Sequence, residues 1–132
     1  MGMLDGKVAI VTGAGHGVGR GEALELAAQG AKVIVNDLGG SATGEGADTR
    51  PADEVAALIR DRGGEAVASY DDVADFDGAR AMVHQAIDTF GTLDVLVNNA
   101  GILRDKMIFS MTEEDFDSVI RVHLKGTFAP MR

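Results

Sequence analysis

The sequence predicts an α/β fold in which helices cover both faces of a parallel β-sheet. Four apolar runs, which we expect to be strands, alternate with helical segments, and a glycine-rich stretch directly follows the first run. Three of the runs are nearly continuous Val, Ile, Leu and Ala, as in strands buried on both faces. The alternation indicates a doubly wound sheet with strand order 3-2-1-4. The predicted strands are Val8–Val11, Lys32–Asn36, Ala66–Ser69 and Leu93–Asn98.

Three helices are predicted between these strands. The first runs from Gly17 to Gln29, with Gly30 as its C-terminal cap. A second, weaker pattern is entered through Pro51 and ended by Gly63-Gly64. Apolar side chains recur every three or four positions from Phe76 to Phe90, which indicates an amphipathic third helix.

A last helix follows the fourth strand. It opens with a capping box in which Thr112 is the N-cap and Asp115 the acidic partner, so we expect its carboxylates to be structural. Its apolar stripe is still in phase at Arg132, with no glycine cap beyond it. We therefore expect residues 1–132 to be a single domain truncated at its C-terminal side, with the fourth strand left as an apolar edge.

Composition limits the classes of partner. The chain of 132 residues has a net charge of −9, which disfavours nucleic acid and anionic membranes. It contains no cysteine and only three scattered histidines, so we predict no metal site. The N-terminus lacks a long apolar core and a cleavage site, which indicates a cytoplasmic location.

The glycine-rich stretch joins the first strand to the first helix. Its sequence is Thr12-Gly13-Ala14-Gly15-His16-Gly17-Val18-Gly19. Glycines allow a tight turn and a close approach of backbone N–H groups to an anion, and a helix N-terminus favours phosphate. A P-loop is excluded because Arg20-Gly21 stands where Lys and Ser or Thr are required. A turn that merely connects two elements remains the alternative.

Asp37 favours a dinucleotide over other phosphate ligands. It ends the second strand about 20 residues beyond the glycine loop, where a carboxylate can accept hydrogen bonds from ribose hydroxyls. The same charge would repel a 2′-phosphate, and no Arg or Lys precedes Arg20 in the loop. NAD(H) is therefore predicted over NADP(H). The alternative is an Asp that only begins a turn before Gly39-Gly40.

Three ordered motifs resemble the short-chain dehydrogenase/reductase family. They are Thr12-Gly13-x-x-x-Gly17-x-Gly19, Asp72-Val73 after the third strand, and Asn98-Asn99-Ala100-Gly101 after the fourth. The stretches "VIVNDLGG", "RGGEAVASYDDV", "NNAGILRDK" and "VHLKGTF" further resemble its (3R)-hydroxyacyl-CoA dehydrogenase group. The resemblance covers essentially the whole chain and implies a Rossmann-type fold.

The resemblance implies roles for individual residues. Gly13 and Val18 would contact the pyrophosphate side, Asp37 the ribose, Asp72 and Val73 the adenine, and Asn99 the nicotinamide-side ribose. The full predicted NAD-binding set is Thr12, Gly13, Gly15, Gly17, Val18, Gly19, Asp37, Asp72, Val73, Asn99, Ala100 and Gly101.

The chain departs from the family in its catalytic residues. His123 stands where most members have an Asn that helps hold a water in a proton relay; by its spacing it could equally be a packed helix histidine. Tyr70 is the only tyrosine, so the Tyr-x-x-x-Lys motif of the family is absent. The resemblance implies that the family's substrate-orienting Ser is absent as well. We therefore expect the chain alone to be inactive, with His123 its one candidate catalytic residue.

The predicted function is hydride transfer between NAD and a secondary alcohol or ketone, with a 3-hydroxyacyl-CoA as the best specific substrate. The resemblance also implies a homo-oligomer that forms through the last helix. One alternative is an enzyme that resembles the 3-oxoacyl carrier-protein reductases. Such an enzyme would use NADPH, whose 2′-phosphate the charge of Asp37 would repel. Another is a catalytically inactive nucleotide-binding module.

Overall fold

The four strands form one parallel sheet. The computed structural model describes residues 2–39, 50–102 and 108–131. The strand order is β3-β2-β1-β4, and Ala9 of β1 lies between Val33 of β2 and Val95 of β4. The predicted fold class and strand order are confirmed. The strands are β1 (Val8–Val11), β2 (Lys32–Asn36), β3 (Ala66–Ser69) and β4 (Val95–Val97).

Three helices connect these strands, close to where the sequence predicts them. Gly30, with φ of 99°, follows the first, and Gly91, with φ of 90°, follows the third, since only glycine adopts such angles without strain. Asp75 is the N-cap of the third helix, and its carboxylate accepts the N–H of Asp77 at 3.1 Å. The helices are α1 (Gly17–Ala28), α2 (Arg50–Asp61) and α3 (Phe76–Phe90).

Successive strand residues pack on opposite faces of the sheet. Val11, Val33 and Val35 belong to the core layer that includes residues of α1 and α2. Ile10 and Ile34 belong to the layer that includes residues of α3. Burial on both faces explains why these strands are continuously apolar.

Strand β4 is shorter than predicted. It forms a ladder only over Val95–Val97, although Leu93–Asn98 was expected, and its three residues are half-buried. Among the described strands it lies at the edge of the sheet, with β1 as its one hydrogen-bonded neighbour. The predicted apolar edge is thus present in the described residues.

The last helix is not regular throughout. The segments α4 (Glu113–Ile120) and α5 (Gly126–Met131) are joined by a π-helical turn, Arg121–Lys125, which the sequence did not predict. The predicted capping box is confirmed, because the N–H of Asp115 donates to Thr112 Oγ1 at 3.0 Å and the N–H of Thr112 to Asp115 Oδ2 at 3.1 Å. Within the described ranges, no helix has the length and apolarity needed to cross a membrane.

Candidate functional site

The glycine loop lies between the carboxyl end of β1 and the first turn of α1. Gly13 and Gly17 have φ of 65° and 53°, values that side chains other than glycine rarely adopt. A Cβ on Gly19 would lie 2.3 Å from the carbonyl oxygen of Gly13, so only glycine lets the helix approach the loop this closely. These contacts place the N-terminus of α1 directly beside the strand ends.

The space beside this N-terminus is open. Among the described residues, no heavy atom other than those of the adjacent residues and of the helix's own backbone lies within 4 Å of the Cβ position of Gly17, and Val18 is 74% exposed. The first N–H groups of a helix have no partner within the helix and bind anions readily. The loop therefore fits the phosphates of a dinucleotide.

Thr12 joins the glycine loop to the segment that follows β4. Its buried Oγ1 accepts the N–H groups of Asn99 and Ala100, each at 3.0 Å, and donates to the carbonyl of Val97 at 3.3 Å. The side-chain amide of Asn99 donates to the carbonyl of Gly13 at 3.2 Å. Residues that lie 86 to 88 positions apart, in two different predicted motifs, are thus joined in one hydrogen-bonded unit.

Both oxygens of the Asp37 carboxylate accept hydrogen bonds from backbone N–H groups. Its Oδ2 accepts the N–H of Gly15 at 2.8 Å, and its Oδ1 accepts the N–H of Gly39 at 2.7 Å. The hydrogen bond with Gly39 is the one expected of an Asp that begins a turn, which the sequence offered as the alternative to ribose binding. The hydrogen bond with Gly15 places the carboxylate against the glycine loop, where a Cβ on Gly15 would come within 2.6 Å of it.

Asp72 and Val73 contact the last helix. Arg121 Nη2 lies 2.5 Å from Asp72 Oδ2, while Asp72 Oδ1 accepts the N–H of Ala74 at 2.9 Å. A Cβ on Gly126 would lie 2.7 Å from Val73. Sequence reasoning missed both contacts, because nothing in the sequence pairs residues about 50 positions apart.

His123 lies beside the segment that follows β4. Its Nε2 is 3.1 Å from the N–H nitrogen and 2.9 Å from the carbonyl oxygen of Ile102, and its ring occupies the space that a Cβ on Gly101 would need. Either tautomer can make one of these hydrogen bonds. The imidazole therefore holds Gly101 and Ile102 against the π-helical turn.

The hydroxyl of Tyr70 is hydrogen-bonded to the first turn of α2. Its hydroxyl donates to Asp53, and this hydrogen bond, with smaller contributions from desolvation and from the charge of Asp53, raises the pKa of Tyr70. A raised pKa makes proton transfer near neutral pH harder. Among the described residues, no group of three or more His, Asp or Glu could hold a metal ion.

Comparisons with known proteins agree on one family. The sequence profile of the family described as short chain dehydrogenase matches residues 7–132. A short-chain type dehydrogenase/reductase of Mycobacterium tuberculosis is 52% identical over 96% of this chain and 44% of its own length. The peroxisomal multifunctional enzyme type 2 of Drosophila melanogaster is 56% identical over 94% of this chain and 20% of its own length.

A solved structure gives the same result. The crystal structure of a short chain dehydrogenase from Mycobacterium avium superposes with a TM-score of 0.91 and 55% identity over 99% of this chain and 47% of that one. The chain thus spans less than half the length of each of these relatives.

Proposed function

Because this chain belongs to the short-chain dehydrogenase family, we propose that it is the NAD(H)-binding part of an oxidoreductase acting on a secondary alcohol or ketone. The observation that carries the proposal is the carboxylate of Asp37, hydrogen-bonded at 2.8 Å to the glycine loop. A carboxylate at this place can accept from the adenosine ribose hydroxyls and repels a 2′-phosphate.

Different residues of the chain would bind different parts of the dinucleotide. The first turn of α1, from Gly17 to Gly19, would bind the pyrophosphate through backbone N–H groups. Asp37 would bind the adenosine ribose, Asp72 and Val73 the adenine, and the segment Asn99–Gly101 the nicotinamide side. When bound, NAD supplies the site that accepts or releases the hydride.

The substrate proposal rests on resemblance. The stretches around Asn98–Gly101 and His123 are similar to those of (3R)-hydroxyacyl-CoA dehydrogenases, so we propose a 3-hydroxyacyl-CoA as substrate. The alternative, a 3-oxoacyl carrier-protein reductase, would require NADPH, which Asp37 disfavours.

A cytoplasmic location remains part of the proposal.

We also propose that the 132 residues alone do not catalyse this reaction. Proton transfer requires a group within hydrogen-bond reach of the reacting oxygen. Tyr70 is bound to Asp53, and the imidazole of His123 is bound to Ile102. In this chain His123 is therefore a positioning residue for the segment that follows β4.

Cofactor choice provides the direct test. We expect calorimetric titration to give at least about tenfold tighter binding of NAD(H) than of NADP(H), or ~1.4 kcal/mol. Asp37→Ala should narrow this ratio because it removes the repulsion. Asp88→Ala, which removes the same charge from an exposed position on α3, is the matched control and should leave the ratio unchanged.

Equal or tighter binding of NADP(H) by the unaltered chain would contradict the proposal. Asp37→Asn separates charge from hydrogen bonding, since an amide oxygen can still accept the N–H of Gly15. A ratio that narrows in Asp37→Asn as well would assign the selectivity to charge.

We further propose that the chain forms a homo-oligomer through the last helix. Four large apolar side chains at four-residue spacing are exposed there, and exposed apolar surface on a helix favours an interface. They are Phe116 (57% exposed), Ile120 (42%), Leu124 (65%) and Phe128 (54%).

Sedimentation of single variants tests the interface. Leu124→Glu should raise the dissociation constant of the oligomer by at least about tenfold, because it buries a charge in an apolar contact. Ile87→Glu changes an exposed apolar residue of α3 and should have no such effect. A compact monomer at every concentration of the unaltered chain would contradict the proposal.

A further inference from the structure

We propose that Arg121 is a positioning residue for the nucleotide site: its guanidinium group holds the carboxylate of Asp72 where that carboxylate can accept a hydrogen bond from the 6-amino group of adenine. The inference rests on the proposed function, because it assumes that the adenine lies beside Asp72 and Val73. It deepens that function because it names a residue of the last helix on which recognition of the base depends.

The carboxylate of Asp72 is held at both of its oxygens. Oδ1 accepts the N–H of Ala74 at 2.9 Å, within the same loop, whereas Oδ2 lies 2.5 Å from Arg121 Nη2, 49 positions further along the chain. The Arg121 and Asp72 side chains are 47% and 27% exposed, so a ligand can reach the pair from solvent. Each carboxylate oxygen has two lone pairs, and the carboxylate can therefore accept a further hydrogen bond.

The chemistry of adenine determines what this carboxylate can recognise. In a nucleotide the exposed ring nitrogens of adenine are acceptors, and its 6-amino group carries the N–H donors. An ionised carboxylate only accepts hydrogen bonds, so Asp72 would bind the base through that amino group. Hypoxanthine has a carbonyl oxygen in place of the amino group, and a fixed carboxylate therefore discriminates against it.

Arg121 supplies the stronger of the two contacts that fix this carboxylate. A hydrogen bond between a guanidinium and a carboxylate is charged at both ends and is stronger than one from a neutral backbone N–H. Without Arg121, the contact with Ala74 holds one oxygen only, and the carboxylate can turn about its side-chain bonds towards solvent. Recognition of the amino group would then weaken, although Asp72 itself is unchanged.

The π-helical turn gives the last helix two contacts with this loop. The N–H of Gly126 donates to the carbonyl of Arg121, five positions earlier, which is the hydrogen bond of a π-helix. In a regular α-helix, residues five positions apart point about 140° away from each other, and the wider π-helical turn reduces this angle. Arg121 thus reaches Asp72 while Gly126 packs against Val73. One turn of the last helix contacts both residues proposed to bind the adenine.

Lys125 provides the matched control. It belongs to the same turn and is exposed, but its Nζ lies over the ring of Phe76, 5.4 Å from the ring centroid. Lys125→Met therefore removes the same charge as Arg121→Met, from the same turn, without removing the contact with Asp72. Arg121→Ala removes the guanidinium with a strong helix former and carries the same expectation as Arg121→Met, which it replaces if that variant does not fold.

The experiment is calorimetric titration of the 132-residue chain with NAD⁺ and with nicotinamide hypoxanthine dinucleotide, with circular dichroism to verify folding. The unaltered chain and Lys125→Met should bind NAD⁺ about tenfold more tightly than the hypoxanthine analogue. In Arg121→Met the affinity for NAD⁺ should fall about fivefold, while the affinity for the analogue stays within about twofold. A contact that only stabilised the fold would lower both affinities alike.

Asp72→Ala shows whether Arg121 acts through the carboxylate. This variant should lose the preference for NAD⁺ over the analogue, and adding Arg121→Met to it should change neither affinity further. A further loss of NAD⁺ affinity in the double variant would assign Arg121 a direct contact with the nucleotide and overturn its positioning role.

The remaining outcomes separate the inference from the proposed function. An equal loss of both affinities in Arg121→Met, or an unchanged ratio between them, would overturn the role of Arg121 alone if the unaltered chain still prefers NAD⁺ to NADP⁺. Tighter binding of NADP⁺, or no binding of NAD⁺ at millimolar concentration, would overturn the proposed function and the inference with it.

Discussion

Replacing Gly19 by alanine is expected to lower nucleotide affinity by at least about 100-fold, equivalent to ~2.7 kcal/mol. The added Cβ would lie 2.3 Å from the Gly13 carbonyl oxygen and 2.4 Å from the Asn99 side-chain nitrogen. The first of these is backbone, so the helix or the loop has to move. Overpacking of this kind typically costs about 1–3 kcal/mol, and we expect a loss of about 3 kcal/mol in the free energy of unfolding.

Gly21 provides the control two residues along the same helix. In the described part of the chain, no heavy atom beyond the adjacent residues and the helix's own backbone lies within 4 Å of its Cβ position, and its φ is not positive. Gly21→Ala should therefore stabilise the chain by about 1 kcal/mol, since alanine is the better helix former, and leave nucleotide affinity unchanged. Urea unfolding and calorimetric titration measure both quantities. If Gly19→Ala and Gly21→Ala had the same stability and the same nucleotide affinity, the close approach of α1 to the glycine loop would be contradicted.

Thr12→Val is expected to destabilise the chain by about 2 kcal/mol. Valine has nearly the shape of threonine, but it removes the acceptor that the N–H groups of Asn99 and Ala100 have at 3.0 Å. The N–H of Asn99 keeps a second acceptor, the carbonyl of Val97 at 3.1 Å, whereas the N–H of Ala100 loses its acceptor. An unpaired buried donor costs about 1–3 kcal/mol. Because the same hydroxyl joins the glycine loop to the segment that follows β4, we also expect nucleotide affinity to fall.

Thr12→Ser separates the hydroxyl from the methyl group. It keeps the acceptor and loses one methyl, so we expect a cost of about 1 kcal/mol and little change in affinity. Urea unfolding gives the stabilities, and hydrogen exchange at the amides of Asn99 and Ala100 reports the bonds directly. If these two amides exchanged their hydrogens as fast in Thr12→Ser as in Thr12→Val, the result would contradict the role of the hydroxyl in holding the segment that follows β4.

The sequence by itself determined the sheet and most of its helices. The predicted bounds of β1, β2 and β3 agree with the structure, because strands buried on both faces carry an unbroken apolar run. Helix α3 was predictable from its three- and four-residue spacing, and the capping box of Thr112 from residues three positions apart. These are local signals, which a short stretch of chain carries completely.

The tertiary structure decided which side chains meet at the site. Asp37 and Gly15 are 22 positions apart, and only the tertiary structure brings the carboxylate of Asp37 to the N–H of Gly15. The same carboxylate accepts the N–H of Gly39, as in the turn that the sequence offered as the alternative to ribose binding. The spacing of His123 likewise left two roles open, and its contacts with Ile102 depend on how the last helix packs.

The π-helical turn shows the same limit most clearly. An apolar stripe predicts a helix but not an extra residue in one turn, because the stripe reports only which face is apolar. The turn begins at Arg121, which pairs with Asp72, and Gly126, packed against Val73, directly follows it. Contacts between residues about 50 positions apart accompany this local geometry, and no pattern confined to the helix contains them.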